Sequence, residues 1–296
     1  MPGFLDGEPA RSALAGALER VTALVPYLTA SIDPAGPVPV PGPTAPPGPP
    51  DPTVPADGVW MSSRALIDDP PWLGRIIRST GAGIGTDDPV VAASVFVQGY
   101  SYRVMTLTIA CLTASGVVPD ASASRLAVAL ERNWPSRLSF VEPAVLVMEG
   151  TDPSARTTDS DTIGDALRFV VDTAIDAHLR PLVGAVRAGI GVPLGERLLW
   201  GNVAASAATA FRTMEGCLGR DVVAVAARFF ALAPPLQGLG AFVTIEHGGR
   251  RGWFWERTNC CLFDRLPGGI RCADCSRTPV GQRRQAYRES LEPTGA

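Results

Sequence analysis

The chain predicts an α+β fold, predominantly helical, with two short β-hairpins and a small C-terminal metal-binding subdomain. Three observations carry this. Apolar residues recur at helical spacing along most of the chain, as at Leu14, Leu18, Val21, Leu24 and Val25. Two segments instead alternate apolar and polar residues around a turn, the pattern of a hairpin. Four of the six cysteines crowd into NCCLFDRLPGGIRCADCS, residues 259–276.

Taken in order, residues 1–32 form an N-terminal unit whose helix runs over 12–28. Residues 33–56 form a Pro-rich linker, with proline too dense for any helix or sheet interior. It is expected to be extended and disordered, a spacer rather than a ligand for a Pro-binding module. Residues 57–238 make a mainly helical domain. Helices are expected over 72–79 and over 88–114, the latter as one helix or two with Asp87 or Asp88 as its cap. Residues 125–141 alternate on both sides of Asn133-Trp134-Pro135-Ser136 and predict the first hairpin. Further helices follow over 161–187, over 195–214 and over 221–232, the last stopped by Pro234-Pro235. Residues 239–296 form the C-terminal metal-binding region. It comprises a second hairpin over 242–258 around Gly248-Gly249, the cysteine segment, and a short helix over 279–291. No internal repeat is visible.

The bulk numbers exclude several classes. With 296 residues, 46% hydrophobic and 19% charged, the chain can bury a real core. The net charge of −3 offers no footprint for nucleic acid. All 26 basic residues are arginine, which with the excess of Ala, Gly, Pro and Val reflects a GC-rich coding sequence. No basic and apolar leader opens the chain. The most apolar stretches, 90–118 and 198–211, are interrupted by polar residues or too short to span a bilayer. A cytoplasmic protein is therefore expected, and there a cysteine cluster points to metal or catalysis before disulfides.

Three chemistries could use Cys260, Cys261, Cys272 and Cys275. A disulfide between adjacent cysteines would close a strained ring. Structural zinc fits the Cys272/Cys275 spacing, but its sites are usually two pairs with intervening residues, not adjacent ligands. A [2Fe–2S] cluster needs two thiolates on each iron, converging from two sides. Pro267-Gly268-Gly269 supplies a turn that folds one pair back on the other. Adjacent strand residues point to opposite faces, so the hairpin must end at or before Asn259 for both Cys260 and Cys261 to reach one cluster. The spacing matches neither ferredoxin pattern. On spacing alone zinc and iron–sulfur both stay open, with iron–sulfur only slightly ahead.

The motif C-C-x10-C-x2-C near the C-terminus resembles the signature of the FhuF-like ferric-siderophore reductases. The flanking Trp253-Phe254-Trp255 hairpin, the Arg-Leu-Pro-Gly-Gly run and RLLWGNVAAS over 197–206 resemble that family too. The specific likeness covers roughly the last hundred residues, and upstream it is one of general helical character. The resemblance implies that Cys260, Cys261, Cys272 and Cys275 ligate a [2Fe–2S] cluster. It also implies reduction of Fe(III) held by a hydroxamate or related siderophore, in the cytoplasm, after import.

Hard oxygen donors hold Fe(III) far better than Fe(II), so one electron loosens the chelate. Such a site needs no general base or nucleophile, and no nucleophile elbow, P-loop or dinucleotide fingerprint occurs here. The electron must come from a separate donor. Arg257, Arg265 and Arg271 either tune the cluster, steer an anionic partner or are solvated surface charges. Trp253 and Trp255 either wall the cluster or pack the hairpin. His178 and His247 are read as structural or surface residues, Cys111 and Cys217 as packing, and Asn202 as a hydrogen bond across the core. The alternative functions are a non-enzymatic [2Fe–2S] electron carrier and a zinc-stabilised helical binding domain.

Overall fold

The computed structural model describes residues 2–33, 59–131, 134–148 and 160–292. The Pro-rich segment lies, but for Asp33, outside the described residues. The fold is α+β and mainly helical, as the sequence predicts.

Two long helices make its centre. Helix α4 (Pro89–Ser115) starts where Asp88 accepts from the Val90 and Val91 amides and ends on Gly116 in the left-handed region. At about 1.5 Å per residue it runs roughly 40 Å, and it is apolar on nearly every side because it is buried on nearly every side. Helix α7 (Glu196–Leu218) packs along it. Ser101 and Ser206 share a hydrogen bond of 3.0 Å across the seam.

The remaining helices surround this pair. Helices α1 (Gly7–Leu24), α2 (Ser63–Asp68) and α3 (Pro70–Gly83) precede it. Helices α5 (Ser160–Val170) and α6 (Arg180–Gly189) are joined by a π-helical stretch, Val171–Leu179. The sequence reads this span as one helix, and Pro181 is the reason for the wider turn. Proline has no N–H and crowds the carbonyl four residues back. That carbonyl, on Ala177, accepts instead from the Ala123 amide at 3.4 Å. Helix α8 (Val223–Leu232) ends at Ala233, and Pro234–Leu236 form a single 3-10 turn.

Three sheets occur among the described residues. Strands β5 (Leu126–Glu131) and β6 (Trp134–Phe140) form the first expected hairpin. The structure extends it: β2 (Ala30–Ile32) joins β6 in parallel and β3 (Val59–Ser62) joins β5 antiparallel. A second sheet sets β7 (Ala144–Met148) between β1 (Pro2–Asp6) and β4 (Val117–Pro119). The two-hairpin expectation is thus too small. The added strands are three to five residues long and pair with distant partners, so no local period reveals them.

The second expected hairpin is present as β8 (Gly240–His247) and β9 (Arg250–Arg257), turning on Gly248 and Gly249, both at positive φ. Helix α9 (Val280–Glu289) packs on it, with Tyr287 stacked on Phe254 at 4.3 Å between ring centroids. Trp253 and Trp255 are buried and meet Phe242 and Phe230 edge to face or tilted. Both therefore pack the hairpin.

Candidate metal centre

The cysteine segment leaves β9 at Arg257, two residues before Asn259, as the ligand argument requires. Leu262 then takes φ 65°, a left-handed conformation that a branched side chain rarely adopts. This kink follows Cys260-Cys261 directly. It turns the Leu262 amide back to the Cys260 Sγ at 3.3 Å and lays the Leu262 side chain against Val91, Val95 and Leu266. A 3-10 turn over Phe263–Arg265 and the positive-φ Gly268 complete the reversal.

The reversal brings the cysteine pairs together. Cys261 and Cys272 Sγ atoms are 3.8 Å apart. The Cys272 carbonyl accepts from the Cys275 amide at 3.0 Å, closing a turn around Ala273 and Asp274. Cys261 and Cys275 are buried, while Cys260 and Cys272 are half-buried. Hydrogen bonding from Cys272 lowers the Cys261 thiol to about 6 against the effect of burial, helped by the Phe263 amide and the Arg257 charge. The same bond, together with burial, pushes Cys272 up. Burial raises Cys260, and the nearby Cys261 and Cys275 thiols add to it.

A buried hydrogen-bond chain holds this segment to the helices. Arg257 Nη2 donates to Asn202 Oδ1 at 2.8 Å. Asn202 Nδ2 donates to the Ser94 carbonyl at 2.8 Å, and Ser94 Oγ donates to the Cys261 carbonyl at 2.6 Å. Asn202 therefore bonds across the core, as expected, and its partners lead to the cysteines. Next to it Gly201 has no side chain because Asn259 fills the space: a Cβ there would lie 1.9 Å from Asn259 Nδ2.

Arg257 is 2% exposed, and no carboxylate lies within ion-pair distance of it among the described residues. Its Nε has no partner. Arg283, 7% exposed, reaches the Arg257 and Asp274 carbonyls at 3.5 Å and also leaves Nε unpaired. Buried charges are normally paired, so this cation beside the Cys261 and Cys272 thiols fits a negatively charged metal–thiolate group. Arg265 and Arg271 differ: both are exposed, near Asp88 at 4.0 Å and Asp264 at 3.8 Å. Asp264, largely buried, is also held by Arg277 at 3.0 Å.

Among the described residues, no three or more His, Cys, Asp and Glu side chains gather around a single point as one metal ion requires. The other candidates fall elsewhere. His178 is buried, with Nδ1 2.7 Å from the Ala121 carbonyl and Nε2 2.9 Å from the Tyr100 hydroxyl. His247 is at the surface near Glu292. Cys111 is buried in α4 as expected. Cys217 is not packed: it is exposed, and its thiol donates to the Leu24 carbonyl at 3.2 Å. Arg283 and Ser94 were missed by sequence reasoning, because one lies on a polar terminal helix and the other inside an apolar run.

The helical scaffold, up to the first strand of the C-terminal hairpin, matches a known class of protein. Residues 94–246 match the family described as "Ferric iron reductase FhuF-like transporter". The match spans more than half of the chain, and the chain belongs to this family. It runs from Ser94 in α4 to Glu246 in β8 and stops before the cysteines. It overlaps the segment of sequence resemblance over residues 197–246. No curated protein matches the chain.

Part of the chain aligns with solved structures, among them the two that follow. The aerobactin synthetase IucC from a hypervirulent pathotype of Klebsiella pneumoniae aligns at TM-score 0.42 and 18% identity, over 61% of this chain and 32% of that one. The petrobactin biosynthesis protein AsbB from Bacillus anthracis str. Sterne aligns at TM-score 0.35 and 11% identity, over 66% and 32%. The matched region spans about a third of either protein's length. Among the described residues, no helix is long and apolar enough to cross a membrane.

Proposed function

We propose that this chain is a ferric-siderophore reductase that holds a [2Fe–2S] cluster on Cys260, Cys261, Cys272 and Cys275 and releases iron in the cytoplasm. The observation that carries the reading is Arg257, a buried guanidinium without a carboxylate beside converging thiols. When bound, the cluster would supply single electrons, enough to turn tightly chelated Fe(III) into weakly chelated Fe(II).

The chain's own residues do the rest. Four cysteines offer thiolates, and Cys261 is already poised to ionise. A 3.8 Å separation is the edge of a tetrahedron with metal–sulfur bonds of about 2.3 Å, so Cys261 and Cys272 suit one shared metal atom. Arg257 offsets the negative charge, and the buried Asn202–Ser94 chain keeps the Cys261 backbone in place.

A second reading, a non-enzymatic electron carrier, is favoured by Phe263 and Ile270, 41% and 75% exposed on the cysteine loop, where a protein partner would cover both. One experiment separates them. Protein reduced anaerobically is mixed with a ferric trihydroxamate, and Fe(II) is trapped with a colorimetric chelator. Stoichiometric Fe(II) release that is lost in Cys272→Ser supports the reductase. Transfer only to a protein acceptor supports the carrier, and a zinc-containing protein with no transfer overturns both.

A further inference from the structure

Beside the cysteines a cavity of about 410 Å³ opens between α4, α7, the β5–β6 hairpin and the cysteine segment. Cys272 is the cysteine that lines it, along with Gln98, Arg103, Trp134, Thr209 and Arg257. Two guanidiniums, Arg103 and Arg257, and one carboxylate, Asp274, line it. Arg103 is fixed by bonds to the Ser136 and Gly99 carbonyls. Trp134 leans over Gly99 so closely that a Cβ there would sit 2.5 Å from the ring. The walls are thus set by packing, and ligand sites are usually preformed cavities of this size.

Two lining residues carry a buried polar atom, Gln98 Oε1 and Arg257 Nε, with no hydrogen-bond partner among the described residues. Buried polar atoms are nearly always satisfied, and exceptions need a reason. Both side chains line this cavity, so a ligand that enters it is positioned to satisfy them.

We infer that this cavity is the docking pocket for an oxygen-donor ferric chelate, seated against the Cys272 wall. The inference rests on the reductase reading above and adds where the substrate sits. The guanidiniums meet the chelate's oxygens, Gln98 accepts from an amide N–H of its arms, and Trp134 covers the apolar spacer between them. A neighbouring groove of about 440 Å³, lined by Trp253, Arg212 and Tyr287, shares Thr209 and Asp274 with the pocket but not Cys272. It serves as the control.

The test is calorimetric titration of the full chain, purified anaerobically, with the gallium(III) complex of desferrioxamine B. This trihydroxamate cannot be reduced at the metal, so binding is read apart from electron transfer. Tyr102→Ala removes a wall of the pocket that the neighbouring groove lacks, and Gln98→Leu removes the acceptor. Circular dichroism confirms that each variant is folded. Both are expected to weaken binding about tenfold or more, while Ala286→Trp, in the neighbouring groove, stays within about twofold of the parent. Parent-like binding by both pocket variants, or weakening by Ala286→Trp alone, overturns the pocket and leaves the reductase reading standing. Binding in the pocket without Fe(II) release from the ferric complex upholds the pocket and overturns the reductase. A parent chain that neither binds nor reduces overturns both.

Discussion

Arg257 and Asn202 form the joint between the cysteine segment and the helical scaffold: Nη2 meets Oδ1 at 2.8 Å, with both residues buried. Asn202 lies within the family-matched region, and Arg257 lies eleven residues beyond it. With Ser94 to the Cys261 carbonyl and Asn259 to the Leu198 carbonyl, this bond couples the family scaffold to the cysteine segment.

Removing that cation changes the electrostatics of the site. A cluster that gains an electron gains negative charge, and a nearby buried cation favours that state. Arg257→Met is expected to lower the reduction potential by on the order of 60 mV, the one-electron equivalent of a tenfold equilibrium change. Arg265→Met, at an exposed and screened position, is expected to shift it far less. Spectroelectrochemical titration of the two variants checks the difference.

Gly201 is a steric requirement. A methyl group there would overlap the Asn259 side chain, which abuts Cys260. Gly201→Ala is expected to cost about 1–3 kcal/mol, as overpacking does, and to reduce the metal content of purified protein. Thermal unfolding and iron analysis measure both effects. A variant with parental stability and iron content would remove Gly201 from the account.

His178 predicts the acid behaviour of the core. Burial lowers it to about 4 from the usual 6.5. Below pH 6.5 the unfolded chain therefore binds a proton that the folded chain refuses. Stability should fall as the pH drops from about 6.5 to about 4, and level off below that. The contribution is about 3 kcal/mol at roughly 1.4 kcal/mol per pH unit. His178→Gln, compared with the parent by urea unfolding across that range, should show a flatter profile.

The two cysteines outside the motif should react very differently. Cys217 is exposed, whereas burial pushes the Cys111 thiol up to about 12. Iodoacetamide on the native protein is expected to modify Cys217 and leave Cys111 untouched until denaturant is added. Peptide mass mapping reads the sites.

Much of this fold was legible because helices carry a local period. Asp88 marked the start of α4, and the alternation around Gly248-Gly249 marked β8 and β9. The small sheets were not legible, because strands such as Val117–Pro119 exist only through partners far away in sequence. At the site, the cysteine spacing and the turn between the pairs could be read directly. The role of Arg257 could not, since an arginine after an aromatic strand reads equally as surface. Only the fold reveals that Asn202, 55 residues earlier, receives it.

The most direct test of the central claim is electron paramagnetic resonance on protein purified without oxygen, before and after dithionite. The account predicts a silent oxidised sample and, on reduction, the rhombic or axial signal of a [2Fe–2S] centre, lost in Cys272→Ser. A colourless sample that contains zinc and stays silent on reduction would contradict it.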